Sequence, residues 1–265
     1  MGAKTGLLAY ADGDIPTALG QMTAAGIAET TDLVGRLYPG WAREAAEGET
    51  LGEGTYPAVG IAYAASFPGV DIVCDRRLMI DRPSQLPEHL VAASAGRRMV
   101  LHAMHSVVDW LAFAVWEDGR LVRSLSLSPD RGVVEDIGER FPFEAPYWAG
   151  GHPVKSYPGR RDEAPYPLPF HPLELGEEAL RTFFGFVLEG RLAPDDIDPD
   201  GVQLRGFCLT DPAGPDLVRR QTDLEEAARR MRGMTYGLAP DGSLTAGAVP
   251  LKSFSVVAKP ACGSR

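Results

Sequence analysis

The chain has little of several things that would announce a function. Its three cysteines, Cys74, Cys208 and Cys262, are widely spaced, with no Cys-x-x-Cys pair. An odd count at such spacing argues against a disulfide framework and against a zinc ribbon. Cys262 lies fourth from the end, but Gly263-Ser264-Arg265 lacks the aliphatic pair of a prenylation box. No apolar run approaches the roughly 18 residues of a membrane span. The opening MGAKTGLLAYADGD turns acidic too early for a secretory signal, so the cytosol is the expected compartment. Positive charge is also short. The formal net charge of -10 opposes binding to nucleic acid and to anionic membrane surfaces. Neither GxxxxGK[ST] nor GxGxxG occurs, so no motif cradles a nucleotide phosphate. Lys4-Thr5-Gly6 matches part of a penicillin-binding signature, but the Ser-x-x-Lys that the chemistry needs is missing. What remains is an ordinary globular composition, 45% apolar and 23% charged over 265 residues. That length supports one large domain or two small ones around a substantial core.

The hydrophobic pattern predicts an α+β fold, a single domain with a mixed or mainly antiparallel sheet covered by helices, and no steady βαβ alternation. Strands are expected at 4–11, 59–65, 70–75, 98–103, 107–116, 121–128 and 202–209. The Asp118-Gly119 pair between two apolar runs is a strong hairpin signal, because the turn needs positive φ. In the second arm of that hairpin Ser124, Ser126 and Ser128 share one face, expected to meet water or a small cavity. The sheet should centre on residues 98–128. Helices are expected near 16–37, as two short pieces broken at Gly20 and Gly26, near 87–95, and at 177–189. In the last of these Leu180, Phe183, Phe184, Val187 and Leu188 form an apolar stripe, with Gly190 as its stop. Residues 42–57 are Glu- and Gly-rich and predict a loop. Eight prolines within 141–172 exclude regular helix or central strand there and predict a stiffened strap across the core. Residues 1–210 thus form the domain, and 211–265 a C-terminal extension with one helix near 222–232, partly disordered.

Three groups of residues carry chemistry. The first is His102, His105, Ser106 and Asp109. On a helix their spacing would place the imidazoles and the carboxylate on one face, as an acid–base pair or a metal site. On a strand i and i+3 point oppositely, and only a bend at residues 104–106 would reunite them. Asp75, the last residue of the third expected strand, is a candidate to position a substrate. The bland reading is a set of hydrogen-bonded groups closing a strand end. Cys74, inside an apolar strand, is expected to be inert core. The second group is Asp12 and Asp14, two carboxylates past the first strand that would suit Mg²⁺. The run LLAYADGDIPT resembles the opening motif of haloacid dehalogenase-type phosphatases. That resemblance implies Asp12 as nucleophile, Asp14 as acid or base, and Ser106, Lys155, Asp196 and Asp200 in the later motifs. Against it, Asp196 follows no strand and Lys155 sits in the strap. Asp-Gly-Asp is also a common turn that caps a helix. The third group is the strap itself, where His152 and His171 each precede a proline among aromatic residues. Such a surface lines a ligand cleft, receives a partner, or seals the core.

Long ordered strings, including FPGVDIVCDRRLMIDRPSQLPEHL, LHAMHSVVDWLAFAVWEDGRLVRSLSLSPD and PFEAPYWAGGHPV, resemble an actinobacterial family of hypothetical proteins, a domain of unknown function. The resemblance covers residues 1 to about 210 and implies an actinobacterial cytosolic protein, with no activity to transfer. The leading expectation is a protein that binds a small molecule or a protein partner in a His/Asp-lined pocket. The alternative is a hydrolase or small-molecule tailoring enzyme using His102 or His105 with Asp109. A Mg²⁺-dependent phosphatase-like enzyme on Asp12 and Asp14 is third.

Overall fold

The computed structural model describes residues 2–21, 24–154, 166–212, 234–238 and 244–248. The chain forms two compact units, one of Met1–Pro39 with Arg43–Cys208, the other of Gly40–Ala42 with Leu209–Arg265. The described elements run β1 (Lys4–Ala11), α1 (Ile15–Gly20), α2 (Ile27–Leu37), β2 (Ala42–Thr50), α3 (Leu51–Gly54), β3 (Ile61–Phe67), β4 (Val70–Cys74), α4 (Glu88–Ala92), β5 (Arg98–His105), β6 (Trp110–Glu117), β7 (Arg120–Ser128), β8 (Gly132–Gly138), α5 (Ala145–Trp148), α6 (Pro172–Phe184), β9 (Gln203–Thr210), β10 (Met234–Leu238) and β11 (Leu244–Ala248). Nine strands make one sheet in the order β2-β9-β3-β4-β1-β5-β6-β7-β8. The pairings of β3, β4, β1, β5, β6, β7 and β8 in turn, and of β3 with β9, are all antiparallel. The fold is therefore α+β with an antiparallel sheet. Strand β1 occupies its middle, and the 98–128 meander forms one flank rather than the centre.

Period-two alternation assigns the residues to two faces. The register places Leu7, Cys74, His102, Phe113 and Leu125 on one face. There they form the main core with Ile15 and Leu19 of α1 and Leu175, Leu180, Phe183 and Phe184 of α6. The other face carries Tyr10, Asp71 and Ser66 and meets α2, whose Leu33, Val34 and Leu37 are buried. Strands β1, β4, β5 and β6 are buried almost throughout because both faces are covered.

Several elements depart from the pattern-based expectation. Residues 42–50 are strand β2, not loop. That strand is largely exposed, so it lacks an apolar rhythm. Its backbone lies so close to β9 that a Cβ on Gly206 would strike the carbonyl of Glu47, and one on Gly48 the carbonyl of Leu204. Residues 132–138 add the edge strand β8. Residues 106–109 form a turn, with Val107 and Val108 exposed, so the next strand starts at Trp110 rather than 107. Helix α6 begins five residues before the expected start. His171 caps it, Pro172 opens it, and Gly185 ends it in the left-handed region at φ 81°. Gly176 sits inside that helix because a Cβ there would lie 2.7 Å from the Met104 sulfur and 3.2 Å from Leu111. The hairpin at Asp118-Gly119 is as expected, with φ of 50° and 71°. Ser124, Ser126 and Ser128 are buried rather than wet. The Ser124 hydroxyl donates to the Glu135 carboxylate, and Ser126 accepts from the Trp110 indole at 3.2 Å. Strap residues 142–148 form a 3-10 turn and α5, each with a proline in its first turn. The second unit contains a two-stranded antiparallel sheet, β10 with β11. The helix expected near 222–232 lies outside the described residues.

Candidate functional site

His102 and His105 are both on β5 and three residues apart, so the sheet sends them to opposite faces. His102 is fully buried against α6. Its Nε2 donates to the Gly176 carbonyl at 2.9 Å and its Nδ1 accepts from the Thr5 hydroxyl at 2.8 Å. Burial pushes its pKa down to about 4, against the raising effect of the Gly176 bond, so the ring is neutral and locked. His105 is half-buried on the other face, where its ring meets Tyr56 edge-on at 5.9 Å. Ser106 and Asp109 belong to the turn that follows, and Asp109 has φ 47°. The imidazole beside Asp109 is that of His171, at 3.6 Å, itself stacked on Tyr166. The structure does not bring His102, His105 and Asp109 together, because strand geometry prevailed over the helical spacing.

Asp75 is also enclosed. The Tyr38 hydroxyl donates to its Oδ2 at 2.5 Å, and Arg77 donates to both oxygens through its backbone and guanidinium. Burial, then the negative charge of Asp75, raises the Tyr38 pKa. The group ties the end of α2 to the turn after β4. The neighbouring Cys74 thiol is held protonated, mainly by burial and then by the Asp75 charge.

The two carboxylates proposed for a metal have separate roles. Asp14 is the N-cap of α1 and accepts from the Thr17 amide at 2.9 Å and hydroxyl at 2.7 Å. Asp12 pairs with the Arg97 guanidinium at 3.0 Å. Asp196 pairs with Arg181 at 3.0 Å, and Asp200 accepts from the Thr50 hydroxyl at 3.3 Å. These partners divide the acidic residues of the phosphatase pattern, and among the described residues no group of three or more His, Cys, Asp or Glu could hold a metal ion. Lys155 lies outside the described residues. In the strap, His152 stacks on Tyr147 at 4.0 Å, and His171 accepts from the Leu173 amide at 3.3 Å. Phe141, Phe143 and Phe113 gather about Phe183. The described parts of the strap thus seal the core.

The open site lies at the far end of the α2-covered face. A cleft of about 340 Å³ is lined by Asp12, Glu29, Asp32, Arg36, Asp71 and Arg97, with Ser66, Phe67 and Gly69 at its base. Local structure explains its shape. The β3–β4 turn closes at Gly69, φ 81°, whose carbonyl accepts from the Asp12 amide at 3.0 Å. The first turn of α2 is pinned to β3: the Gly26 amide donates to the Ser66 carbonyl, and the Ser66 amide donates to the Thr30 hydroxyl, both at 3.0 Å. Glu29, Asp32 and Arg36 therefore line the wall and remain exposed. The floor is an ion pair. Arg97 donates to Asp71 at 2.6 Å and to the Tyr10 carbonyl at 2.7 Å while pairing with Asp12. Asp71 is buried and also accepts from the Ser66 hydroxyl at 2.5 Å. Arg36 stands 3.8 Å from Asp71 with half its side chain in solvent. Tyr10, beneath, has its pKa raised by burial first and by the Asp71 charge second. Along the sequence this cleft is hidden, because Glu29, Asp32 and Asp71 are scattered. The readable signal was Asp71, a carboxylate inside an otherwise apolar strand.

Comparison with known proteins returns no match among curated proteins and none among solved structures. A family model does match residues 5–207, from the first residues of β1 to well within β9, and so takes in the whole cleft. The chain belongs to the family of unknown function DUF6928.

Proposed function

We propose that the protein binds a small polar molecule carrying a positively charged group, in the cleft between α2 and the β3–β4 turn. The observation that carries this reading is the cleft itself, whose volume of about 340 Å³ falls in the range of small-ligand sites. Its charge supports a cation. Four carboxylates face two guanidiniums, and Arg97 is already shared between Asp12 and Asp71. Glu29 and Asp32 are left as exposed acceptors on a rigid helix wall above a hydrogen-bonded floor. A primary amine or guanidinium group matches such oxygens in charge and in donor geometry. A binding role also accords with the separation of His102, His105 and Asp109, which the alternative enzyme reading needs together. A cytosolic, actinobacterial setting is part of this reading, supported by the resemblance of the long ordered strings to an actinobacterial family. No helix among the described residues is long and apolar enough to cross a membrane.

Calorimetric titration tests it, with putrescine, agmatine and arginine set against size-matched neutral and anionic compounds. Cationic probes are expected to bind, and the double variant Glu29→Gln with Asp32→Asn to weaken them at least tenfold. Equal binding of the neutral analogues, or binding indifferent to both substitutions, would sink the proposal.

A further inference from the structure

We infer that strand β8 pairs with β8 of a second copy of this chain, antiparallel across a two-fold axis at Glu135, so that the sheets of the two copies join in a dimer. The proposal is independent of the cleft. Strand β8 ends the sheet, and among the described residues no strand pairs with its outer edge. Such an edge is a template for any strand that can match it. Val133 and Ile137 are 44% and 41% exposed there, and Val122 of β7, on the same face, is 39% exposed. Glu135, between the two, is buried and drawn into its own chain. Its carboxylate accepts from the Ser84 amide at 3.0 Å, the Ser84 hydroxyl at 2.5 Å and the Ser124 hydroxyl of β7. Asp136, on the other face, is held by Arg123 at 2.6 Å and Arg140 at 3.0 Å. Both central carboxylates are thus engaged from within the chain.

The occupant is argued from the strand's match to itself. The run DRGVVEDIGER spans residues 130–140. With the axis at Glu135, Val133 falls opposite the partner's Ile137, and symmetry repeats the pair. Gly132 falls opposite the partner's Gly138. Their φ values of 65° and 81° turn the chain at both ends of the strand. Just beyond, Arg131 neighbours the partner's Glu139, and Asp130 neighbours the partner's Arg140. All four of these charged residues are exposed. Moving the axis one residue either way sets Glu135 against Val133 or Ile137 and separates the opposite charges, so the register is specific. The match does not need free arginines. Arg131 gives Asp81 one nitrogen at 2.5 Å, with both side chains about half in solvent. Arg140 gives Asp136 one nitrogen and lies over the Trp148 ring. A guanidinium has donors for a second carboxylate, and exposed pairs are readily shared. Strand β2, at the other end of the sheet, carries three glutamates to one arginine and nothing apolar larger than alanine. It lacks the apolar half of this match.

Sedimentation equilibrium of the full chain over micromolar concentrations, at low ionic strength, tests the inference. A monomer–dimer equilibrium is expected. Ile137→Lys should weaken it fivefold or more, whereas Val107→Lys, in the exposed turn after β5, should leave it unchanged. Arg131→Glu and Glu139→Arg should each weaken it threefold or more. The two together in one chain should restore it, because these positions meet only across the axis. If Ile137→Lys does not fold by circular dichroism, the charge-reversal set carries the measurement. A chain monomeric at every concentration overturns the inference, as does an open-ended assembly, a dimer indifferent to Ile137→Lys, or a double variant that fails to recover.

Discussion

His102 shows how a residue type that suggests catalysis becomes a structural bolt once both ring nitrogens are engaged. Its pKa is lowered from 6.5 to about 4, so between those values the unfolded chain binds a proton that the folded chain refuses. Stability from this group is present above pH about 6.5 and falls as pH drops towards about 4, a loss of about 3 kcal/mol when complete. Urea unfolding from pH 7 to pH 4 should show this decline, and His102→Gln, which does not titrate, should flatten it. A slope unchanged in the variant would place the effect elsewhere. Arg123 is a second such residue, fully buried with the Phe113 ring 5.9 Å away. It donates to Glu144 at 2.6 and 2.9 Å and to Asp136 at 2.6 Å, clamping the strap onto β7. Glu144→Ala should destabilise by about 3 kcal/mol, because it strands part of a buried guanidinium. Glu144→Gln, which keeps an acceptor, should cost less by the same unfolding assay.

Elements here are joined where two backbones come closer than a side chain allows. Gly138, at the end of β8, has φ 81°, and a Cβ there would strike the Val122 carbonyl of β7. Gly138→Ala should therefore cost about 2 kcal/mol through backbone strain and a lost strand pairing. Hydrogen exchange should report faster opening at 132–138 than in β1. Helix α6 follows the same logic from the other side. Gly176 lets the helix sit low enough for its carbonyl to reach His102. Gly176→Val should overpack against Met104 and Leu111 by roughly 2 kcal/mol, more than the helix gains from losing a glycine. A rise in the thermal midpoint would show that the layer has slack.

At the scale of the whole molecule, net charge and the cleft combine. A cationic ligand entering an acidic protein is drawn by the field of the whole chain as well as by Glu29 and Asp32. Raising salt from about 0.01 M to 0.15 M shortens the Debye length from about 30 Å to 8 Å. Binding of putrescine should weaken over that range, while binding of a neutral analogue should not. A ligand at a hundredfold excess over its dissociation constant should stabilise the fold by about 2.7 kcal/mol. Thermal melting with and without the probe would detect this, and Glu29→Gln with Asp32→Asn should cut the shift to about half or less. A shift that persists undiminished would mean that binding occurs somewhere other than the α2 wall.

The buried strands were legible along the chain because two covered faces demand unbroken apolar runs, as in LLAYA and WLAFAVW. The turn at Asp118-Gly119 was legible because its φ values suit few other pairs. Strands β2 and β8 were not, since an edge strand is held by backbone pairing and leaves its side chains free to be polar. The start of α6 was misplaced because an interior glycine and a histidine cap run against propensity, and only the layer beneath justifies them. The candidate chemistry divided the same way. Residue types identified histidines and carboxylates of interest, but spacing along the chain could not say which side of a sheet each would take. That was decided when β5 paired with β1 and β6, which turned His102 inward and His105 away. The cleft, too, arises only in three dimensions, where a helix wall, a turn and a buried Asp–Arg pair from distant stretches of chain meet at one end of a sheet face.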